Sequence, residues 1–153
     1  MTDHRQYCTF TLADGFFGID VADVQEVLRD QVLTSVPLAH ETISGLINLR
    51  GQIVTAIDLR TRLQLEERGP EEIPMTIVVR TIDGRVALLV DRIGDVLVAD
   101  TELFESPPET IVSGVRELLT GVCKLEKQLL LILDLARTVD ISDSAENAAA
   151  LVA

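Results

Sequence analysis

Residues 14–28 and 83–97 repeat one another, and so do residues 45–59 and 121–135. Asp14-Gly15 leads into FFGIDVADVQEVL and Asp83-Gly84 into RVALLVDRIGDVL; a shift of 69 aligns Ile19 with Leu88, Val21 with Val90, Val24 with Ile93, Glu26 with Asp95, and Val27-Leu28 with Val96-Leu97. Further on, a shift of 76 aligns GLINLRGQIVTAIDL with GVCKLEKQLLLILDL, so that Gly45, Leu49, Gln52, Asp58 and Leu59 meet Gly121, Leu125, Gln128, Asp134 and Leu135. The blocks keep their order, which makes the chain two copies of one unit of about 65 to 75 residues. A unit that small buries only about 60 % of its unfolded surface and is marginal alone. The copies are therefore expected to share an apolar interface, with a groove between two similar lobes.

The period inside each copy is mainly that of strands. Thr9 and Thr11 alternate with Phe10 and Leu12 ahead of an Asp-Gly hairpin signal. Ile53 to Leu59 alternates likewise, paired through an Arg50-Gly51 turn with Leu46 to Leu49. In the second copy, Met75 to Thr81, Val86 to Val90, Gly121 to Leu125 and the continuous apolar run Leu129 to Leu133 read as strands, the last covered on both faces. Val21, Val24, Val27 and Leu28 instead follow a helical stripe capped by Asp20, predicting a helix of about two turns. Gly94 at the corresponding place predicts that the second copy stays extended. Glu66 to Pro74 and Asp100 to Glu117 read as connectors. Short strands joined by Gly-containing hairpins indicate small β-barrels.

Composition narrows the function. The 153 residues hold 13 basic and 25 acidic side chains, a formal charge of −12, which repels a phosphate backbone and argues against nucleic acid as partner. Aromatic residues make up 3 %, leaving the interior to Leu, Val and Ile. No apolar stretch approaches the roughly eighteen residues that span a bilayer, and Met1 leads into a polar segment, so direct membrane insertion is not expected and a cytoplasmic location is. Cys8 and Cys123 lie far apart and outside any C-x-x-C, which predicts buried free thiols.

The sequence carries few residues in a setting for reactive chemistry. His4 and His40 have no Ser or Cys in a nucleophile setting, the His and Cys positions lack metal-ligand spacing, and no phosphate-binding glycine motif is present. Asp58 and Asp134 recur at matching strand ends, which suggests a structural task such as bonding a turn backbone. The expectation is a protein without catalytic residues, metal or cofactor that acts as an interaction module.

The segments QYCTFTL (6–12), FGIDVADVQEVL (17–28), SGLINLRGQIVTAIDLR (44–60), GRVALLVDRIGDVL (84–97) and LLTGVCKLEKQLLLILDL (118–135) together resemble the CheW family, in order from about Gln6 to Val139. The resemblance implies an all-β fold with short helices: two SH3-like five-stranded β-barrels packed together. One domain is expected over 6–139, with barrels at approximately 6–66 and 74–139, strand exchange between them left open, and a tail at 140–153 without a family motif. The chain departs from the family at Thr55-Ala56, where Pro and an aliphatic residue are usual.

The same resemblance implies an adaptor that links a CheA-type histidine kinase, through its regulatory domain, to the signalling tips of methyl-accepting chemoreceptors in membrane-associated arrays. Carried onto this sequence, receptor binding falls to Val21, Val24 and Glu26, to Arg50 and Gly51, and to Ile77 and Ala87. Val21, Val24, Ile77 and Ala87 serve either as an apolar groove floor or as core, while Glu26 and Arg50 fix orientation or form a surface ion pair. Kinase-contacting residues are not assigned. The other readings are a small-molecule-binding or catalytic barrel, marked by a deep cavity with converging polar groups, and self-association into rings.

Overall fold

The computed structural model describes residues 4–141; the expected tail therefore lies outside the described residues from position 142 onward. The first copy forms β1 (His4–Leu12), β2 (Gly15–Asp20), β3 (Val24–Leu28), β4 (Ile43–Leu49), β5 (Gln52–Asp58) and the single turn α1 (Leu59–Arg62). The second forms β6 (Met75–Thr81), β7 (Gly84–Val90), β8 (Arg92–Asp100), β9 (Phe104–Glu105), α2 (Ser113–Arg116), β10 (Leu119–Lys124), β11 (Leu129–Leu133) and α3 (Leu135–Val139). The hairpins predicted at Asp14-Gly15, Arg50-Gly51 and Asp83-Gly84 are all present. Arg50 and Gly51 have φ of 51° and 85°, the two positive values that a tight two-residue hairpin turn requires.

The strands assemble into two sheets ordered β8-β1-β2-β11-β10-β9 and β3-β6-β7-β5-β4. Neither is confined to 6–66 or to 74–139: the copies exchange their first hairpins. Hairpin β1–β2 joins β11 by parallel pairing, with Phe17 opposite Leu131, and hairpin β6–β7 joins β5, with Ala56 opposite Ala87. Each lobe thus contains strands from both sequence repeats, and neither copy completes its sheet alone.

Alternation on these strands produces three cores. On β7, Leu88 and Val90 enter a core shared by the lobes, whereas Ala87 and Leu89 enter the interior of the β3–β7 lobe. On β11, Leu133 faces the shared core, and Leu130 and Ile132 face the interior of the other lobe with Tyr7, Ala99 and Cys123. The run Leu129 to Leu133 is accordingly covered on both faces except at half-exposed Leu129. The shared core is the largest cluster and holds Phe10, Leu12, Phe17 and Ile19 against Ile57, Ile77, Val79 and Leu88. Both cysteines are buried and unpaired, and burial pushes both thiols up.

Two expectations change. The predicted two-turn helix is a 3-10 turn at Val21–Asp23 followed by β3. Asp20 caps it as expected, its Oδ1 accepting from Ala22 N at 2.9 Å. From Val24 onward, pairing with β6 prevails over the short helical stripe, with Val24 opposite Val79 and Val27 opposite Ile77, because β-branched residues suit a pleated surface. The connector Asp100 to Glu117 is also more ordered than expected, carrying a 3-10 turn at Thr101–Leu103, then β9 and α2. Gly94 lies in extended β8 as predicted, and a Cβ there would come within 2.7 Å of Thr9 Oγ1, which donates to the Asp95 carbonyl.

Candidate interaction groove

Three adjacent depressions that share lining residues lie about the Val21–Asp23 turn and together make up an uneven furrow. The first, about 480 Å³, is lined by Arg5, Gln6, Asp20, Val21, Ala22 and Val98. It shares Arg5 and Asp20 with a second of about 320 Å³, which reaches Tyr7, Asp23, Thr120 and Asp134. The second shares Asp23, Leu135 and Ala136 with a third of about 880 Å³, bounded by Arg80, Ile82 and Val139. Burial and neighbouring Asp20 push the Asp23 carboxyl above its usual range.

The seven candidate residues separate into three groups. Val21 and Val24 are half-buried and pack on the shared core, Val21 also lining the furrow. Ile77 and Ala87 do not form a groove floor: both are fully buried, Ile77 in the shared core and Ala87 inside the β3–β7 lobe. The period of two places them on inward faces of interior strands, so the core reading holds for this pair. Glu26, Arg50 and Gly51 form the third group. Arg50 donates to Glu26 through Nη1 at 2.8 Å and Nη2 at 2.7 Å, with Arg50 70 % exposed and Glu26 18 %. Gly51 N donates to Asn48 Oδ1 at 2.9 Å, which fixes the turn that presents the guanidinium.

This pair gives the two lobes different electrostatics. At the repeat-related positions Asp95 replaces Glu26 and Glu126 replaces Arg50, so two acids stand where the first copy has an ion pair. Arg50 lowers the Glu26 carboxyl below its ordinary range, chiefly through its hydrogen bonds, with Arg85 adding a smaller contribution.

A further depression of about 500 Å³ does contain converging polar groups. Asp91 accepts from Arg60 Nε at 2.8 Å, from Arg68 Nε at 2.9 Å and from Ala13 N at 2.7 Å, and Arg68 Nη1 also donates to Asp58 at 2.7 Å. These groups satisfy one another and tie the Glu66 to Pro74 connector to both lobes, which is a structural clasp. Among the described residues no group of three or more His, Cys, Asp or Glu could hold a metal ion. His40 is occupied locally, its Nδ1 lying 2.8 Å from Thr42 Oγ1.

Sequence reasoning missed Val96, Val98 and Ile82, exposed hydrophobics of which Val98 and Ile82 line the furrow. The run Val96-Leu97-Val98 is apolar without a gap, so its pattern leaves the outward face unmarked. Ile82 follows Thr81 in a hairpin tip and belongs to no periodic segment.

A sequence model of the CheW-like domain matches residues 6–142. The chain belongs to the CheW-like family. It is similar to the chemotaxis protein CheW of Treponema pallidum (strain Nichols), with 30 % identity over 134 residues, 85 % of this chain and 79 % of that protein. The chemotaxis protein CheW of Bacillus subtilis (strain 168) is 32 % identical over 128 residues, covering 84 % and 82 %. The crystal structure of the scaffolding protein TtCheW from Thermoanaerobacter tengcongensis superposes with a TM-score of 0.80 at 31 % identity, covering 90 % of this chain and 94 % of that one. The two-barrel architecture fits the CheW-like assignment. At the departure noted above, Thr55 pairs with Leu46 and with Val86, so β5 keeps neighbours on both sides. No helix among the described residues is long and apolar enough to cross a membrane.

Proposed function

We propose that this chain is a non-catalytic adaptor that couples a CheA-type histidine kinase to methyl-accepting chemoreceptors. On this reading it works in the cytoplasm and is recruited to membrane-associated receptor arrays. The observation that carries the proposal is the furrow around Val21–Asp23, an open trough with an apolar side formed by Val21, Ala22 and Val98. That shape suits the apolar stripe of a helical signalling tip. Glu26, Arg50 and Gly51 line none of these depressions and enter the proposal as a separate polar contact: Arg50 keeps donors facing solvent while Glu26 holds its orientation.

An adaptor needs a second face for the kinase, and the loop between β3 and β4 supplies it. Leu38 in that loop is 105 % exposed and has φ of 63°, a left-handed conformation costly for a branched side chain. Val32 and Val36 are exposed in the same loop. An exposed apolar residue held in a strained turn gains nothing for the isolated fold and is suited to anchor a partner.

The test is calorimetric titration of the full chain with the regulatory domain of the kinase and, separately, with a chemoreceptor signalling-tip fragment from the same organism. The expected result is binding of both, with Leu38→Asp weakening only the kinase and Val98→Asp only the receptor tip. Absence of binding to either partner at tens of micromolar would overturn the proposal.

A further inference from the structure

We propose that residues 148–153 of this chain seat in the depression beside α3, so that the protein covers this apolar surface with its own downstream segment. The depression, about 880 Å³, is lined by Ile82 from the β6–β7 hairpin and by Leu135, Ala136 and Val139 from α3. Ile82 is 99 % exposed, and the hairpin is fixed without it: Thr81 Oγ1 donates to the Gly84 carbonyl at 2.8 Å and accepts from Asp83 N at 3.2 Å. A polar residue would serve such a turn equally well. An isoleucine there is accounted for by something that covers it.

The fold delivers the chain to this place. Arg62 Nε donates to the Thr138 carbonyl at 2.8 Å, and its Nη2 donates to the carbonyls of Arg137 at 3.0 Å and Asp140 at 3.2 Å. A guanidinium on the last carbonyls of α3 fixes the direction in which the chain leaves it. Val139 and Ile141 both line the depression, so the exit runs along its wall. Residues 148–153 read AAALVA and follow Ile141 after six linking residues. Six residues reach about 20 Å when extended, enough to return across a depression of this volume.

Charge selects the stretch that docks. Asp23, Asp83 and Asp140 border the depression against Arg80 alone, so acidic side chains are disfavoured in it. The segment AAALVA carries no ionisable side chain, and the acids that precede it, Asp143 and Glu146, fall in the linking residues. The tether holds the segment at millimolar effective concentration, so burying Leu151 and Val152 is enough to keep it seated. This depression shares no lining residue with the one at Val21 and Val98, so the inference stands apart from the receptor reading.

The test is disulfide trapping in the full chain with Ile82→Cys and Leu151→Cys together, under mild oxidation at low protein concentration. Cys8 and Cys123 are both buried, which leaves the introduced pair as the reactive one. The rate of intramolecular closure is read by mass spectrometry beside a control pairing Leu151→Cys with Leu38→Cys, since Leu38 is equally exposed and lies off the depression. The Ile82 pair is expected to close at least tenfold faster than the control. Adding Val152→Asp, a change outside the folded core, is expected to slow the Ile82 pair about tenfold, the loss that corresponds to one buried aliphatic side chain. Closure of the two pairs within twofold of each other would overturn the proposal. So would a fast Ile82 pair that Val152→Asp leaves unchanged, because the tether alone would then bring the thiols together.

Discussion

Arg50 and Glu26 join the two outer strands of the β3-β6-β7-β5-β4 sheet, Glu26 from β3 and Arg50 from the turn that follows β4. Beneath them Leu28 of β3 packs against a core containing Ile47 and Leu49 of β4, so the pair lies over the seam where the barrel closes. Apolar packing already closes that seam. The ion pair, with its guanidinium largely in water, adds little to it. Arg50→Ala is therefore expected to leave the unfolding midpoint unchanged while lowering affinity for the receptor tip. The charge-exchanged double variant Glu26→Arg with Arg50→Glu restores an ion pair, and its binding should remain low because the outward donors are gone. Recovery of binding in that variant would show that the pair acts only through the fold.

Val24 and Val98 separate stability from recognition. Val24 is half-buried against the shared core and pairs with Val79, so Val24→Lys should destabilise the protein by about 1–3 kcal/mol as well as weaken binding. Val98 is 61 % exposed on outer strand β8, and Val98→Asp should alter binding with little change in stability. Denaturant titrations of both variants beside affinity measurements give the comparison. A binding loss for Val24→Lys in proportion to its unfolding would mark that residue as core alone.

These residues also show what the sequence made legible. The repeat, the hairpins and the capping aspartates were readable because each rests on local chemistry: Asp-Gly turns, period-two alternation, and a carboxylate at the end of a strand. The exchange of hairpins was not, because Phe17 opposite Leu131 and Ala56 opposite Ala87 are apolar pairings that leave no mark on either strand alone. The same limit applied to the groove. Val21, Ile77 and Ala87 carry similar apolar signals, and only the position of each strand in its sheet decides that Val21 borders the furrow while the other two are buried. Helix against strand at Val24 to Leu28 was likewise decided by β6, a partner 50 residues away in sequence.

The Asp91 clasp predicts a pH dependence. Burial alone would push its carboxyl up, but hydrogen bonds from Arg60 and the Ala13 amide, with the charge of Arg68, outweigh burial and hold it below the usual carboxylate range. A depressed folded pKa means that the unfolded state binds the proton first. The stabilisation is thus present above an unfolded value of about 3.9 and is lost as pH falls through the folded value. Asp91→Asn should cost about 2–4 kcal/mol at neutral pH, since it leaves two largely buried guanidiniums short of a carboxylate. Between about pH 5 and pH 2 the stability curves of parent and variant should converge. Parallel curves over that range would remove Asp91 from the acid response.

Asp58 and Asp134 occupy the same place in the two repeats and offer an internal control. Each caps the short helix that follows its strand, Asp58 Oδ1 accepting from Arg60 N at 3.0 Å and Asp134 Oδ1 from Arg137 N at 3.1 Å. Asp134→Ala removes a cap on a partly exposed turn, along with a loose contact to Arg137, and should cost about 1 kcal/mol. Asp58 does more, since its Oδ2 also accepts from Arg68 Nη1 at 2.7 Å and so anchors the connector between the repeats. Asp58→Ala should exceed Asp134→Ala by about 1–2 kcal/mol, and Asp58→Asn, which keeps the cap but loses the charge, should fall between them. Equal costs for the two alanine variants, measured by denaturant unfolding, would mean that the Arg68 bond contributes nothing to folding.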